Sequence, residues 1–418
     1  MSTLLIEGGQ RLSGSVEVEG NKNSALPLLA ACLLTTGECV LTNVPRISDV
    51  EVMARLLLEL GATVEGIGST TLRVRCPEVV KDEPDPALVG RLRGSVLLLG
   101  PLLARRGRAH LAPPGGDFPT RRTIATHLEA LEAMGARVVP GEGHVLQAPD
   151  GLKPASIYLY EASVTGTETA LLAAAAGKGV TEIRHAACEP HVVELCVFLR
   201  KLGVGISGEG TSTIRVEGGM RLGGAEHRLW GDYIEAGSWA VVAAVTGGEI
   251  DVVGARAIDM EVVAAVLKRL HVRCGMHGEI FRVEQSKPRS AGRIITGLWP
   301  GFPSDLVSLV TVLATQAEGQ TLVHDWLYEL RLFALEQMSG MSADLFLCDP
   351  HRIIVAGPRK LRGRPLDSRD LRSGMALIAA ALAAEGQSRL APLETVERGY
   401  ARLVERLQGL GAKVAKLP

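Results

Sequence analysis

The chain has 418 residues, of which 46% are apolar and only 4% are aromatic. Because one hydrophobic core rarely serves a chain of this length, two or more domains are expected. The formal net charge is −1, which argues against a nucleic-acid or anionic-membrane partner, so any anion site needs a local cluster of cations.

Seven cysteines and ten histidines are scattered along the chain. They form no CxxC pair and no metal-ligand spacing, which predicts reduced thiols in a cytoplasmic protein with no metal and no cofactor. The first residues, "MSTLLIEGGQ", have no basic segment and no apolar core of the kind found in signal peptides. The longest apolar runs, about 10 to 14 residues, are too short to span a bilayer.

The first predicted helix begins at the polar cluster of the segment "GNKNSALPLLAA", in which Lys22 stands between two asparagines. A helix that is apolar on all sides belongs in the interior of a protein. Its N-terminus carries partial positive charge, which disfavours a lysine unless an anion joins it. Lys22 therefore either helps to bind an anion or extends from a loop into water.

A helix ending in a Leu-Gly-Ala-like step, followed by a short strand, recurs six times. The copies are centred on Gly61, Gly135, Gly203, His271, Ser339 and Gly411, at steps of 74, 68, 68, 68 and 72 residues. A glycine after a helix accepts a positive φ at the least cost, so the pattern predicts a capped helix and then a strand. Two copies lack the glycine and must end differently.

Apolar helices that begin at polar clusters recur at the same period. This pattern favours an α/β fold of two domains, with three repeated units in each, sheets outside and the apolar helices buried inside. If these helices run parallel, their N-termini gather at one end of each domain. We expect them to line a cleft for anions, with the residues Lys22, Arg93, Asp232, Asp305 and Arg372.

Eight motifs in order along the chain resemble one family. They are "GNKNSALPLLAA", "PGGD" at 114–117, "SVTGTE" at 163–168, "EP" at 189–190, "D-x-IEAG" at 232–237, "FPSD" at 302–305, "DLR" at 370–372 and "RGY" at 398–400. Together they resemble the UDP-N-acetylglucosamine 1-carboxyvinyltransferases of the enolpyruvyl transferase family. The related shikimate-specific enzymes usually have Gly-Asp-Lys-Ser in the first motif, which differs from this chain.

The resemblance implies a two-domain inside-out α/β barrel with six repeated β/α units. Residues 22–230 would form an N-terminal domain that bears a lid. Residues 1–21 and 231–418 would form the C-terminal domain. The oligomeric state is not indicated by the sequence.

The resemblance also implies a reaction. The enolpyruvyl group of phosphoenolpyruvate moves to the 3-hydroxyl of UDP-N-acetylglucosamine, and phosphate is released. Phosphoenolpyruvate carries a phosphate and a carboxylate, and arginine matches both in a bidentate manner. The family residues that would bind it are Lys22, Arg93, Arg122, Arg331, Arg372 and Arg398. For each arginine alone, the alternative is a surface ion pair of small energetic worth.

Two proton carriers are needed for this addition and elimination. By resemblance, Asp305 is the base at the attacking hydroxyl, with Lys22 and Arg398 also at the reacting centre. The alternative for Asp305 is an N-cap, a role that Ser304 could share. Asp117 stands at the general-acid position, where many relatives have cysteine, and would need a raised pKa. Its alternative role is to support a Gly-Gly turn.

The implied acceptor contacts are Asn23, Arg93, Arg122, Ser163, Val164, Thr165 and Asp305. The chain departs from the family at three places. The residues after Arg122 are Thr123, Ile124 and Ala125 instead of Pro-x-Asp, Tyr233 replaces an arginine, and Leu306 and Val307 follow "FPSD". These departures leave room for a different nucleotide-sugar acceptor, or for a paralogue that binds the sugar without catalysis.

Overall fold

The computed structural model describes residues 2–116, 123–329 and 331–418. It divides into two compact units: Met1–Glu19 with Gly231–Pro418, and Gly20–Trp230. We call them the C-terminal unit and the N-terminal unit. The first crossing follows Glu19, two residues before the expected boundary, and the second follows Trp230.

The helices are numbered in chain order. The α-helices are α1 (Lys22–Cys32), α2 (Ser48–Glu59), α3 (Pro86–Val89), α4 (Leu99–Arg106), α5 (Ala125–Ala133), α6 (Val164–Ala176), α7 (Pro190–Leu202), α8 (Tyr233–Val245), α9 (Ala257–Arg269), α10 (Val307–Gln316), α11 (Leu371–Ala383), α12 (Glu394–Glu397) and α13 (Leu403–Gly409). The 3-10 helices are Arg93–Leu98, Ser304–Leu306 and Phe333–Met341.

The strands are short. They are β1 (Thr3–Glu7), β2 (Ser13–Glu17), β3 (Cys39–Thr42), β4 (Thr63–Glu65), β5 (Thr71–Arg75), β6 (Arg108–Leu111), β7 (Arg137–Val139), β8 (His144–Gln147), β9 (Ser156–Tyr158), β10 (Gly179–Arg184), β11 (Gly205–Ser207), β12 (Thr213–Gly218), β13 (Ala225–Arg228), β14 (Glu249–Val253), β15 (Cys274–His277), β16 (Ile280–Val283), β17 (Arg293–Ile295), β18 (Gly319–His324), β19 (Asp344–Asp349), β20 (Arg352–Gly357), β21 (Pro365–Asp367), β22 (Gln387–Ala391) and β23 (Lys413–Leu417).

Within the described residues, each unit contains three small sheets, which are mixed except for the antiparallel sheet β6-β8-β7 of the N-terminal unit. The N-terminal unit has the strand orders β13-β3-β5-β4, β6-β8-β7 and β11-β12-β10-β9. The C-terminal unit has β15-β16-β14-β2, β17-β18-β20-β19 and β21-β22-β1-β23. The predicted α/β class, with three repeated units on each side of the chain crossing, is confirmed.

The start of the chain completes two sheets of the C-terminal unit. Strand β1 pairs antiparallel with β22 and with β23, and β2 pairs parallel with β14. The backbone hydrogen bonds of these first strands are therefore satisfied by the second half of the chain.

The apolar helices form the interior of each unit, as predicted. In the C-terminal unit, α8, α10 and α11 all pack against one another. In the N-terminal unit, α6 packs against α1, α4 and the 3-10 helix that leads into α4. These inner helices are buried along nearly their whole length, as their all-apolar sequences require.

Six outer helical segments carry the repeat that the sequence showed. Four end at glycines with positive φ, namely Gly61, Gly135, Gly203 and Gly411. In the two copies without glycine, His271 (φ 59°) and Ser342 (φ 71°) take the left-handed conformation instead. The spacing of the repeat placed the end of the fifth copy at Ser339. The chain turns three residues later, at Ser342.

No helix among the described residues is both long and apolar enough to cross a bilayer. The same residues contain no group of three or more His, Cys, Asp or Glu side chains arranged to hold a metal ion.

Candidate active site

A carboxylate held between two arginines stands at the start of α10 in the C-terminal unit. The Nη1 atom of Arg331 donates to Oδ1 of Asp305 at 2.8 Å. The Nε atom of Arg372 donates to Oδ2 at 3.2 Å, and its Nη2 lies 3.0 Å from the same oxygen. Three residues that lie far apart in sequence are thus brought together as one charged cluster.

The local fold explains how α11 presents Arg372. Asp370 is the N-cap of α11, and its Oδ1 accepts hydrogen bonds from the backbone N–H groups of Arg372 (3.0 Å) and Ser373 (2.9 Å). This cap satisfies amide groups that a helix start leaves without partners. It fixes Arg372 in the first turn of the helix, where only 5% of the residue is exposed.

Asp305 lies in the 3-10 turn Ser304–Leu306, which runs directly into α10. Neither that turn nor α10 has a side-chain cap hydrogen bond at its N-cap position. The N-cap alternative for Asp305 or Ser304 is therefore wrong, because the carboxylate faces the two guanidinium groups instead. About a quarter of the Asp305 side chain remains exposed.

The two arginines determine the ionisation of Asp305. Burial by itself would raise the pKa of this carboxyl, but the charges and hydrogen bonds of Arg372 and Arg331 outweigh it and hold the pKa well below its usual range. Asp305 reciprocally raises the pKa of both guanidinium groups, although burial opposes this. In this arrangement Asp305 is an anion and a weak base.

Tyr400 extends the cluster on the side of Arg372. Its hydroxyl lies 3.3 Å from Nη1 of Arg372 and 2.8 Å from Oγ of Ser238 on α8. Tyr400 is fully buried, so its hydroxyl needs these partners. Arg398 lies two residues earlier and half-buried, at the C-cap of α12.

In the N-terminal unit, Lys22 is the first residue of α1. Its ammonium group lies 2.5 Å from Oδ2 of Asp49 on α2, and both side chains are largely buried. The anion that the helix start requires is thus supplied, at least in part, by the protein. Asn21 caps α1 by accepting a hydrogen bond from the backbone N–H of Asn23 at 2.7 Å.

The other predicted residues of this unit also lie at helix starts. Arg93 begins the 3-10 helix before α4, and its Nη2 donates to the carbonyl oxygen of Thr123 at 2.6 Å. Ser163 is the N-cap of α6 and accepts from the N–H of Gly166 at 3.2 Å.

Val164 is the first residue of α6 and Thr165 is the second. The Oγ1 atom of Thr165 lies 2.8 Å from Nε2 of His127 on α5. The first turn of α6, where the resemblance expects a diphosphate, therefore carries a polar link to the neighbouring helix.

Two predicted site residues, Asp117 and Arg122, lie outside the described residues. Their roles as general acid and as substrate contact stay predictions.

The departures from the family pattern have structural roles in this chain. Tyr233, where relatives often have arginine, is 2% exposed and packs edge-to-face on Trp299 with ring centroids 5.3 Å apart. Leu306 and Val307 are buried in the core, and Leu306 leaves no space for a side chain at Gly237. Tyr233, Leu306 and Val307 thus all belong to the apolar core of the C-terminal unit.

Sequence reasoning did not identify three residues that support the site. Asp49 pairs with Lys22, Tyr400 accepts from Arg372, and Asp325 accepts from Ser304 beside Asp305. Tyr400 stands inside the motif "RGY", so its place in the motif was a usable signal. Asp49 and Asp325 lie in segments without a recognisable pattern, and their roles follow only from the tertiary structure.

The cluster around Asp305 can do two things chemically. Two guanidinium groups side by side form a receptor for phosphate or carboxylate oxygens. A carboxylate between them can accept a proton once its hydrogen bonds to those groups are broken.

Comparison with known proteins assigns the chain to a family. The family model described as EPSP synthase (3-phosphoshikimate 1-carboxyvinyltransferase) matches residues 6–407. The chain belongs to the EPSP synthase family. That family membership agrees with the enolpyruvyl transferase resemblance of its motifs.

Similar members of the EPSP synthase family carry a more specific name. A protein of Bradyrhizobium diazoefficiens is 43% identical over 422 residues, covering 99% of this chain and 98% of its own length. One of Treponema denticola is 40% identical over 427 residues, covering 99% of both chains. Both are named UDP-N-acetylglucosamine 1-carboxyvinyltransferase.

Two solved structures agree with the fold. The enolpyruvyl transferase NikO from Streptomyces tendae is 25% identical and superimposes with a TM-score of 0.89, covering 100% of this chain and 99% of NikO. EPSP synthase from Acinetobacter baumannii is 20% identical, with a TM-score of 0.76 over the full length of both chains. The second likeness shows the shared fold alone.

Proposed function

We propose that this chain transfers the enolpyruvyl group of phosphoenolpyruvate to the 3-hydroxyl of UDP-N-acetylglucosamine, with release of phosphate. The observation that carries the proposal is the Asp305 carboxylate bound by Arg331 and Arg372. The full-length relatives at 43% and 40% identity, both named for this reaction, support the choice of acceptor.

The arginines of the cluster have a defined task in this proposal. Arg331 and Arg372 bind oxygens of phosphoenolpyruvate, with Arg398 as a further cation of the C-terminal unit. By the family resemblance, Lys22, Arg93 and Arg122 would also bind phosphoenolpyruvate. Arginine suits this role because its planar fork binds two oxygens at once and stays charged throughout.

Binding of phosphoenolpyruvate would also activate the base. The oxyanions of the substrate compete with Asp305 for the donors of Arg331 and Arg372. Since those donors hold the pKa of Asp305 low, any loss of their contacts raises it toward the ordinary range. Asp305 then accepts the proton of the attacking sugar hydroxyl more readily.

The chemical steps follow from the reactants. The methylene carbon C3 of phosphoenolpyruvate gains a proton while the sugar oxygen bonds to C2 and passes its own proton to Asp305. The tetrahedral adduct then loses a proton from C3 and expels phosphate, which restores the double bond. We assign the proton transfer at C3 to Asp117, with Lys22 and Arg398 stabilising the negative oxygens of the adduct.

The acceptor is held, in this proposal, by Asn23, Arg93, Arg122, Asp305 and the first turn of α6. Ser163, Val164 and Thr165 place backbone N–H groups at a helix start, a place suited to a diphosphate. We further propose that the reaction is the committed step of peptidoglycan synthesis and that it takes place in the cytoplasm.

One assay tests the proposal. Purified protein is mixed with phosphoenolpyruvate, with or without UDP-N-acetylglucosamine, and released phosphate is measured. We expect release only when the sugar nucleotide is present, with a 3-O-enolpyruvyl product of matching mass. Release only with another acceptor, or sugar binding without turnover, would contradict the proposed function.

A further inference from the structure

A second buried carboxylate lies behind the arginine cluster. Asp325 follows β18 and is fully buried. Its Oδ2 accepts a hydrogen bond from the hydroxyl of Ser304 at 2.6 Å. Its Oδ1 accepts from the hydroxyl of Thr296 at 2.7 Å and from the N–H of Leu327 at 3.3 Å. None of the roles proposed above uses this residue.

The hydroxyl of Ser304 connects Asp325 to the active-site arginine. A serine hydroxyl has one proton to donate, and an ionised carboxylate can only accept. Because the proton of Ser304 goes to Asp325, the Ser304 oxygen is left to accept from Nη1 of Arg331, which lies 3.0 Å away. That same Nη1 donates to Asp305 at 2.8 Å. Arg331 can only donate and Asp325 is the acceptor at the other end, so the Ser304 hydroxyl between them donates to Asp325 and accepts from Arg331.

The backbone of Asp325 is itself held firmly. Its N–H donates to the carbonyl of His351 at 2.8 Å, and its carbonyl oxygen lies 2.7 Å from Nδ1 of His351. Thr296 follows β17, which pairs in parallel with β18, and its N–H bonds to the carbonyl of His324. Asp325 is thus fixed to the end of a sheet and offers a rigid support.

We propose that Asp325 is a positioning residue for enolpyruvyl transfer, which acts through Ser304 to hold the guanidinium group of Arg331 in the orientation that binds phosphoenolpyruvate. This inference rests on the proposed function, in which Arg331 binds phosphoenolpyruvate. Without the acceptor on Asp325, the rotation of the Ser304 hydroxyl is no longer fixed, so its lone pair is no longer held toward Arg331.

The substitution Asp325→Asn tests the direction of these hydrogen bonds. The N–H of Leu327 needs an acceptor, so the amide oxygen of the asparagine would remain on that side. The amide NH2 group would then face Ser304 and donate to it. Ser304 would lose its acceptor, so the rotation of its hydroxyl, which directs a lone pair to Arg331, would no longer be fixed, with almost no change in volume.

The experiment compares Asp325→Asn, Ser304→Ala, the double variant and the control Thr296→Val. The control removes the other hydroxyl bound to Asp325 but leaves Ser304 and Arg331 in place. Thermal stability and the kcat and KM for phosphoenolpyruvate are measured for each protein in the phosphate-release assay.

We expect Asp325→Asn and Ser304→Ala each to lower kcat/KM for phosphoenolpyruvate by about tenfold to a hundredfold, the effect of losing a hydrogen bond to a charged group. The double variant should be no worse than the poorer single variant, because both act on one path. Thr296→Val should stay within about twofold of the wild type in kcat/KM, whatever it costs in stability.

Three results would overturn the inference: losses that multiply in the double variant, an equal loss in Thr296→Val, or unchanged kinetics in Asp325→Asn. If Asp325→Asn does not fold, the comparison of Ser304→Ala with Thr296→Val decides, since equal kinetics in the two variants would contradict the inference.

Should the wild type release no phosphate, the proposed function fails. Calorimetric binding of phosphoenolpyruvate to the same proteins then tests Asp325, with weaker binding expected in Asp325→Asn and Ser304→Ala but not in Thr296→Val.

Discussion

Arg372 and Asp305 are joined through a single carboxylate oxygen: both Nε and Nη2 of the arginine lie within 3.2 Å of Oδ2. Arg331 takes the other oxygen, Oδ1, at 2.8 Å. Each oxygen of Asp305 thus has its own guanidinium group. A proposed base that is bound on both oxygens must be released before it can accept a proton, and an oxyanion substrate is the natural competitor.

The geometry of Arg372 leads to the first prediction. Arg372→Lys keeps the positive charge but loses the planar set of donors that contacts both Asp305 and Tyr400. We expect KM for phosphoenolpyruvate to rise by at least about tenfold, the cost of a lost charge-assisted hydrogen bond. Steady-state phosphate release measures it.

Arg369→Lys is the matched control for this substitution. Arg369 lies three residues earlier, is more than half exposed, and pairs only with the equally exposed Asp367 among its described contacts. It should behave as the wild type, because exposed ion pairs contribute little. Equal KM values for Arg372→Lys and the wild type would contradict the proposal that Arg372 binds phosphoenolpyruvate through two donors at once.

The second prediction concerns the position of Asp117. The resemblance places a cysteine there in many relatives, and that thiol is the group attacked by the epoxide fosfomycin. Because this chain has aspartate, we expect no covalent adduct in intact-protein mass spectrometry and no time-dependent loss of activity. Asp117→Cys is the control and should gain the mass of the drug. An adduct on the wild-type protein at another residue, with loss of activity, would show that the reasoning is wrong.

The third prediction is a pH dependence of stability. Glu168 on α6 is 1% exposed, and its Oε1 has no hydrogen-bond partner among the described residues. Burial, and then the charge of Glu189, raise the pKa of Glu168 well above its usual value. The folded state therefore keeps a proton that the unfolded chain loses above its ordinary pKa of about 4.5, so stability falls as pH rises through that window.

Glu168→Gln removes this titration. The melting temperature of the wild type should fall relative to that of Glu168→Gln as pH rises from about 5 to about 8. The fall should be roughly 2–4 °C for each kcal/mol lost from the free energy of unfolding. Differential scanning fluorimetry across the pH range measures it. Glu217→Gln, at an exposed position of β12, should track the wild type at every pH. A constant difference between wild type and Glu168→Gln would mean that Glu168 is ionised in the folded protein.

The sequence predicted much of this structure because the repeat was visible in it. The six outer helix ends and the all-apolar inner helices follow from local chemistry, namely glycine caps and periodicity. The left-handed His271 and Ser342 could not be placed in this way, since neither residue type signals a positive φ as glycine does. In the fifth copy the turn at Ser342 lies three residues after the position that the repeat spacing predicted.

The roles of the predicted site residues stay predictions, but the structure shows where three of them lie. Motifs selected Asp305, Arg331 and Arg372, and the structure brings these three together. Motifs gave no account of what holds them. Asp325 contacts the cluster from the end of β18, and its role depends on which atom donates each proton, information that no spacing contains.

The central claim of this account is that Asp305 competes with phosphoenolpyruvate for Arg331 and Arg372. The most direct test is calorimetric binding of phosphoenolpyruvate to the wild type and to Asp305→Asn, at the same pH and salt concentration. Asp305→Asn removes a negative charge from between the arginines and so should bind phosphoenolpyruvate more tightly, by about tenfold, while releasing no phosphate with the sugar nucleotide. Weaker binding by Asp305→Asn would contradict the account, because it would mean that the carboxylate organises the arginines for the substrate instead of competing with it.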